Sequence, residues 1–279
     1  HYHPSNSVIM TFGHTPAIDH QTEFESLALS RFSRFDSDIK VGFEKRYLSP
    51  IRAEEFYPSE KDDPNNTHIV IGWLLGSSVH TKDLFKAQLL ANVLLDHSGS
   101  PLLKKLETTD LGSSPSPFCG LDDGNKEMSF MVGLEGCLEE DSLRVESFIL
   151  DSLNEFVDQG IPHEQVAAAL HQLELNQREI SGDSYPYGLQ LLMSGLSVAL
   201  HNGDPAKVLD IDPILMELRE AAKSETFIPN LIKELLIENQ HRVTLTLRPD
   251  ELHLSKGAES IDCLLYTSDA ADEGLGVDL

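Results

Sequence analysis

The sequence predicts an α+β fold, an antiparallel sheet flanked by several helices. Three observations lead there. Residues 67–76 (THIVIGWLLG) are apolar on both alternating faces, as in a strand buried inside a sheet. Two strand-like runs at 112–121 and 127–136 are separated by the turn-forming stretch Asp122-Asp123-Gly124-Asn125, which reads as a hairpin. Residues 141–238 are almost wholly helical in period and are followed by one cleanly alternating strand. Strands and helices are thus segregated more than they alternate, which favours α+β over a doubly wound parallel sheet.

Taken in order, residues 7–13 (SVIMTFG) are short, apolar and rich in strand formers, and read as a strand. Residues 17–35 place Phe24, Leu27, Ala28, Phe32 and Phe35 at helical spacing. The stretch 36–66 is polar, carries Pro50, Pro58 and Pro64, and reads as an interdomain linker with one strand near 51–57. Thr81 can cap a helix running to about Asp96, with Leu84, Phe85, Leu89, Val93 and Leu94 on one side. Ser100 and Pro101 form a cap and first-turn pair for a helix through Leu106. A periodic helix over 141–158 ends at Gly160, and Pro162 opens another to about Ile180. Helical patterns continue over 185–200, 205–210, 213–223 and 227–238. Residues 241–248 (HRVTLTLR) then put Val243, Leu245 and Leu247 on one face of a half-buried strand.

Composition narrows the function. The chain has 279 residues, 40% of them hydrophobic and 24% charged, ordinary for a globular protein. Its longest apolar runs fall far short of the ~20 residues that span a bilayer, so no membrane partner is expected. Against 46 acidic residues stand 21 basic ones, a net charge of −25. That field repels phosphate backbones, so no nucleic-acid partner is expected. The excess fits a solvated acidic surface; lining a cavity, it would favour cationic partners such as basic peptides. Three cysteines, Cys119, Cys137 and Cys263, are too few and too odd for a disulfide framework and point to a reducing compartment. Cys119 and Cys137 sit on strand-like runs beside apolar neighbours and read as buried, inert thiols.

A search for chemistry finds no complete site. Zinc on a helix needs two ligands on one face, as in HExxH or its inversion HxxEH, and no two histidines here are four apart. His163-Glu164 has Ala167 where the second histidine belongs. His171 and Glu174 come nearest, with Leu175 in the ligand position, and read as ordinary helix surface. His1 and His3 could share a metal, though a structural turn before Pro4 explains them. His97, His201 and His241 sit at element ends, where capping or exposure is usual. There is no GxSxG elbow, P-loop or GxGxxG, and the 122–124 stretch is too short for a calcium loop. No catalytic, cofactor-binding or metal-binding residue is assigned in this chain.

Several segments in order resemble the presequence-protease branch of the insulinase/pitrilysin family of zinc metallopeptidases. HYHPSNSVIMTFG (1–13) resembles the end of that family's catalytic first domain. GSPLLKKLETTDL (99–111), FMVGLEG (130–136), AALHQLELNQRE (168–179), YPYGLQLLM (185–193), Gly203-Asp204-Pro205 and HRVTLTLRPDE (241–251) resemble its second. The resemblance implies four homologous metallopeptidase-like α+β domains in two halves, closing around a chamber that degrades unstructured peptides. It implies zinc in the first domain, held by an HxxEH helix and a distal Glu, all lying upstream of His1. In the second domain the helix from Thr81 stands where the zinc helix would repeat, and offers Leu89, Leu90 and Leu94 in place of ligands.

The expected layout is then 1–35 as the end of the catalytic domain, 36–66 as linker, 67–254 as a non-catalytic second domain and 255–262 as the start of an interdomain hairpin. Its partners would be peptide substrates, the catalytic first domain and the C-terminal half of the same chain. A bacterial cytoplasmic setting is expected, with a mitochondrial or plastid matrix as the alternative. A catalytically inactive scaffold of the same family, or an unrelated α+β peptide-binding module, are the other readings. Residues 263–273 (CLLYTSDAADE) resemble the translation of a transposon adaptor used in sequencing-library preparation, so 263–279 is set aside from fold and function.

Overall fold

The structure is a computed structural model and describes residues 3–35, 41–59, 66–179 and 186–250. The hairpin start at 255–262 and the tail at 263–279 lie outside the described residues.

One mixed sheet organises the chain. Its strands are β1 (Ile51–Pro58), β2 (Thr67–Ser77), β3 (Ser114–Pro115), β4 (Gly120–Asp122), β5 (Glu127–Cys137) and β6 (Arg242–Asp250). The spatial order is β1-β6-β2-β5-β3, with β4 also on β5. β2 lies between β5 and β6 and is antiparallel to both, so Ile71 faces Val132 on one side and Thr244 on the other. Both flanks of β2 are paired and both its faces are largely covered, which is why its sequence is apolar throughout. The expected antiparallel sheet flanked by helices is therefore present. Its one parallel pair is β1 with β6.

The helices are α1 (Ala17–Leu27), α2 (Thr81–Leu95), α3 (Pro101–Thr108), α4 (Ser142–Gln159), α5 (His163–Arg178), α6 (Tyr187–Leu200), α7 (Pro205–Leu209), α8 (Asp212–Ala221) and α9 (Phe227–Ile232). A π-helical turn, Lys233–Ile237, continues α9. α2 and α4 lie on one face of the sheet, and α5 packs on α2. Between them Ile69, Ile71, Trp73, Phe130, Val132 and Leu134 of the sheet meet Phe85, Leu89, Leu94, Val145, Ile149 and Leu153. Trp73 is fully buried, and its indole N–H donates to Leu236 O at 2.8 Å, so the polar end of the ring is satisfied inside the core. Gly160 ends α4 at φ +75°, a left-handed position that favours glycine, and its N–H donates to Phe156 O.

Four expectations change. The stretch 36–66 does not only link; its strand is a full edge of the sheet. β1 carries Arg52, Glu54 and Glu55 and so lacks an apolar stripe. Arg52 compensates by donating to the buried Glu146 of α4 at 2.7 and 3.2 Å. The preceding segment is also held down: Arg46 donates to Glu127 and to Leu75 O, and Glu44 N–H to Glu127.

Residues 7–13 form no strand; Phe12 lies edge-on to Tyr187 of α6 at 6.0 Å, and among the described residues no strand pairs with the segment. The helix expected over 17–35 stops at Leu27, followed by a 3-10 turn, Leu29–Arg31. The strand expected over 112–121 is broken into β3 and β4. Pro115 and Pro117 have no N–H to give a ladder. The turn before β5 is as expected, with Gly124 N–H donating to Asp122 Oδ1 at 3.0 Å.

Candidate functional site

α2 is the helix at which the resemblance would repeat a zinc site. Its first residue is Thr81, and its N-cap is His80, with no side-chain cap bond. Leu89, Leu90 and Leu94 are buried in the core and offer no donor atom. Among the described residues no three His, Cys, Asp or Glu side chains come together to hold a metal ion. The described residues therefore do not fit a zinc site, and no chemical step is drawn through zinc here.

Several of the histidines and acids singled out by sequence find ordinary partners. Glu174 on α5 is claimed by two arginines: it accepts from Arg219 and, at 3.0 Å, from Arg178, and these contacts, Arg219 foremost, hold its carboxyl below the usual range. His171 is exposed on the same helix. His3 Nδ1 accepts Ser5 N–H at 3.1 Å and packs on Phe32 and Phe35, the structural turn expected before Pro4; His1 lies outside the described residues. His97 Nδ1 accepts Gly99 N–H at 3.0 Å beyond the end of α2. His241 stands just before β6, stacks on Tyr47 at 4.1 Å, and accepts Tyr47 N–H on Nδ1 at 3.0 Å. Burial, then the Arg46 charge, lowers its pKa. Cys137 is buried, and desolvation, aided by Asp141, pushes its thiol up to about 12. Burial raises Cys119 as well. Neither thiol is a nucleophile near neutral pH.

What the helices do build is a groove. A cavity of about 420 Å³ lies between α2, β4 and α5, lined by Gln88, Asn92, Asp96, Asp123 and Gln177 among others. A second, of about 280 Å³, continues from Gln88, Asp123 and Gln177 to Met193, Ser194 and Ser197 of α6. A third, of about 410 Å³, runs from Gln177 and Ser194 to Tyr187 and Glu179. The three share lining residues and meet at Gln177. Their charged side chains are Asp96, Asp123 and Glu179, with no lysine, arginine or histidine among the lining residues.

Gln88 Nε2 donates to Asp123 Oδ2 at 2.8 Å, while Gln88 Oε1 is buried with no hydrogen-bond partner. None of these residues stands out in sequence, because the polar groups are scattered over α2, the turn after β4, α5 and α6 and form no motif. Two signals were there: Gln88 interrupts the apolar inner run of α2, and α6 leaves Leu189, Met193 and Leu200 exposed.

The geometry thus defines a helix-backed α+β domain with an acid- and amide-lined groove. Residues 1–173 match the family model described as "Peptidase M16 inactive domain". The chain belongs to the peptidase M16 family. It is 32% identical over 263 residues to "Presequence protease, mitochondrial" of Xenopus tropicalis, covering 93% of this chain and 25% of that protein. It is also 32% identical over 263 residues to "Presequence protease 1, chloroplastic/mitochondrial" of Arabidopsis thaliana, covering 90% of this chain and 24% of that protein.

The chain therefore spans about a quarter of the length of these relatives. Its fold is shared with the crystal structure of a peptidase M16 inactive domain from Pseudomonas fluorescens, with a TM-score of 0.57 at 14% identity over 84% of this chain and 51% of that one. No helix among the described residues is long and apolar enough to cross a membrane.

Proposed function

We propose that this chain is a non-catalytic part of a zinc-dependent oligopeptidase that degrades unstructured peptides such as cleaved presequences. In this reading it forms part of a chamber wall and buttresses a catalytic first domain, with the C-terminal half of the protein as its other neighbour. One observation carries the reading: α2, the element that would repeat a zinc helix, buries leucines at the positions where ligands would stand. The description of the matching family model as an inactive domain and the names of the relatives support it.

The zinc of the whole protein would be held by residues outside this chain, in an HxxEH helix with its distal Glu, where a carboxylate base and the metal together make a nucleophile of water. Residues 1–35 would be the end of that catalytic unit. The second domain would take in β1, with 41–50 as its tether, and would run to about 254. Sparse cysteines suit a reducing interior, a bacterial cytoplasm or an organellar matrix, and the relatives' names favour the matrix.

The test reads the coding sequence upstream of His1 and assays the complete protein on a presequence-type peptide. An intact HxxEH and zinc-dependent cleavage are expected. A broken motif with no cleavage would make the protein a scaffold and overturn the peptidase reading.

A further inference from the structure

We infer that the inner face of α6 is the seat that positions the catalytic unit against this domain, with Gly188 and Gly195 as notches for Phe12 and Met10. The inference rests on the peptidase reading, in which residues 1–35 end the catalytic unit, and adds the contact that holds that unit in place. Glycine is a poor helix former, so two of them inside one 14-residue helix need a packing reason. Gly188 and Gly195 share one helical face and are both buried. A Cβ on Gly188 would lie 2.2 Å from Phe12 Cδ1 and 2.7 Å from Phe12 Cγ, inside the space of the ring. A Cβ on Gly195 would lie 3.4 Å from Met10 Cε and 3.1 Å from Pro205 Cβ. Bare backbone at both positions is what lets the two side chains reach the helix. The Phe12 ring then stands edge-on to Tyr187 at 6.0 Å, a favourable aromatic geometry.

The segment that carries these side chains leans on α6 for want of a core of its own. No residue from 3 to 35 is buried. The turn at 4–6 folds back on the same unit: His3 packs on Phe32 and Phe35, and Phe35 N–H donates to Ser5 Oγ at 3.2 Å. Among the described residues no strand pairs with 7–13. α6, by contrast, is tied into the second domain. Val198 is buried, and the Ser197 hydroxyl donates to Gly124 O at 2.9 Å, in the turn between β4 and β5. A ring set against a bare helix backbone fixes both distance and angle between the two units. Such positioning matters because a shift of about 1 Å far from the chemistry can cost a rate ~100-fold.

The test has two arms. In the 279-residue chain, Phe12→Cys is combined with Gly188→Cys, and Cys263→Ser removes the third native thiol. Phe12 Cγ lies 2.7 Å from the Cβ position of Gly188, and one further bond of about 1.5 Å keeps the two Cβ atoms within about 4.2 Å, disulfide range. Mild oxidation should give a near-complete intramolecular disulfide by mass spectrometry, and its absence would overturn the seat. In the complete protein, Gly188→Ala should lower kcat/KM for a presequence-type peptide by roughly tenfold. Zinc content should stay unchanged, as should the rate on a peptide of about five residues, too short to reach this domain. Adding Phe12→Ala removes the ring that the new methyl meets and should restore the rate to within about threefold. No loss in Gly188→Ala, equal loss on both peptides, or no rescue would each overturn the positioning role. A wild-type complete protein that cleaves neither peptide would overturn the peptidase reading instead, and the disulfide would still decide whether Phe12 sits at Gly188.

Discussion

Removing one arginine of the segment before β1 should measurably loosen the whole domain. Arg46 donates to Glu127 Oε1 at 2.5 Å and to Leu75 O at 2.9 Å. The Glu127 side chain is 7% exposed and the Arg46 side chain 46%. Arg46→Ala leaves a nearly buried carboxylate with Glu44 N–H as its remaining bond, at 2.6 Å. Breaking a fully buried pair costs ~3–5 kcal/mol, and hydrogen bonds to charged groups are worth ~1.5–3 kcal/mol. Arg46 is half open to water, which screens the pair, so the expected loss is about 2 kcal/mol.

For a domain of this size that lowers Tm by ~4–8 °C. The assay is thermal or denaturant unfolding followed by the emission of Trp73, the chain's one tryptophan, which lies in the core. Glu127→Gln completes a double-mutant cycle, with a coupling of about 1 kcal/mol or more expected. A wild-type Tm for Arg46→Ala, or a coupling near zero, would refute the claim that residues 41–50 are a structural part of the domain.

Three further outcomes follow from the same geometry. His241 accepts Tyr47 N–H on Nδ1, so the folded state needs it neutral, and its lowered pKa means the folded state binds fewer protons than the unfolded one. Its stability contribution is full above the unfolded value of about 6.5 and is lost as pH falls through the lower folded value. Stability should thus decline as pH falls below about 6.5, less steeply in His241→Gln, and an unchanged slope would contradict the bond.

Native alkylation near neutral pH should leave Cys137, buried, and Cys119, half-buried, unmodified by mass spectrometry, with labelling only after denaturation; rapid native labelling would contradict the raised pKa of both thiols. Gly133→Ala would place a Cβ 2.3 Å from Ile69 O and 2.7 Å from Val70 Cα, backbone atoms of β2 that cannot step aside. It should cost about 3 kcal/mol in denaturant unfolding, and a neutral result would contradict the β2–β5 register.

How much of this was legible depended on where each element's stability comes from. β2 and α2 were readable because they bury apolar side chains at their own period, as Ile69, Ile71 and Trp73 or Leu89 and Val93 do. The hairpin was readable because Asp122 and Gly124 form its turn through local bonds. β1 was half legible: its strand was seen, its place in the sheet was not. Its anchor is Arg52 reaching Glu146 across 94 positions of chain, and no local pattern encodes that. Residues 7–13 looked like a strand because Val8, Ile9 and Phe12 are strand formers, yet a strand also needs a neighbour to pair with. The groove was the least legible part. Gln88, Asp123, Gln177 and Ser194 come from four separate elements, and only tertiary packing brings them together. The leucines of α2 were the opposite case, since their burial follows from the helix's own apolar period.

The account's central claim is that this chain serves a peptidase without containing its catalytic centre. The most direct measurement is the zinc content of the purified 279-residue chain, determined alongside its action on a presequence-type peptide. The account predicts no stoichiometric zinc and an intact peptide. One tightly bound zinc per chain, with cleavage that a chelator abolishes, would contradict it.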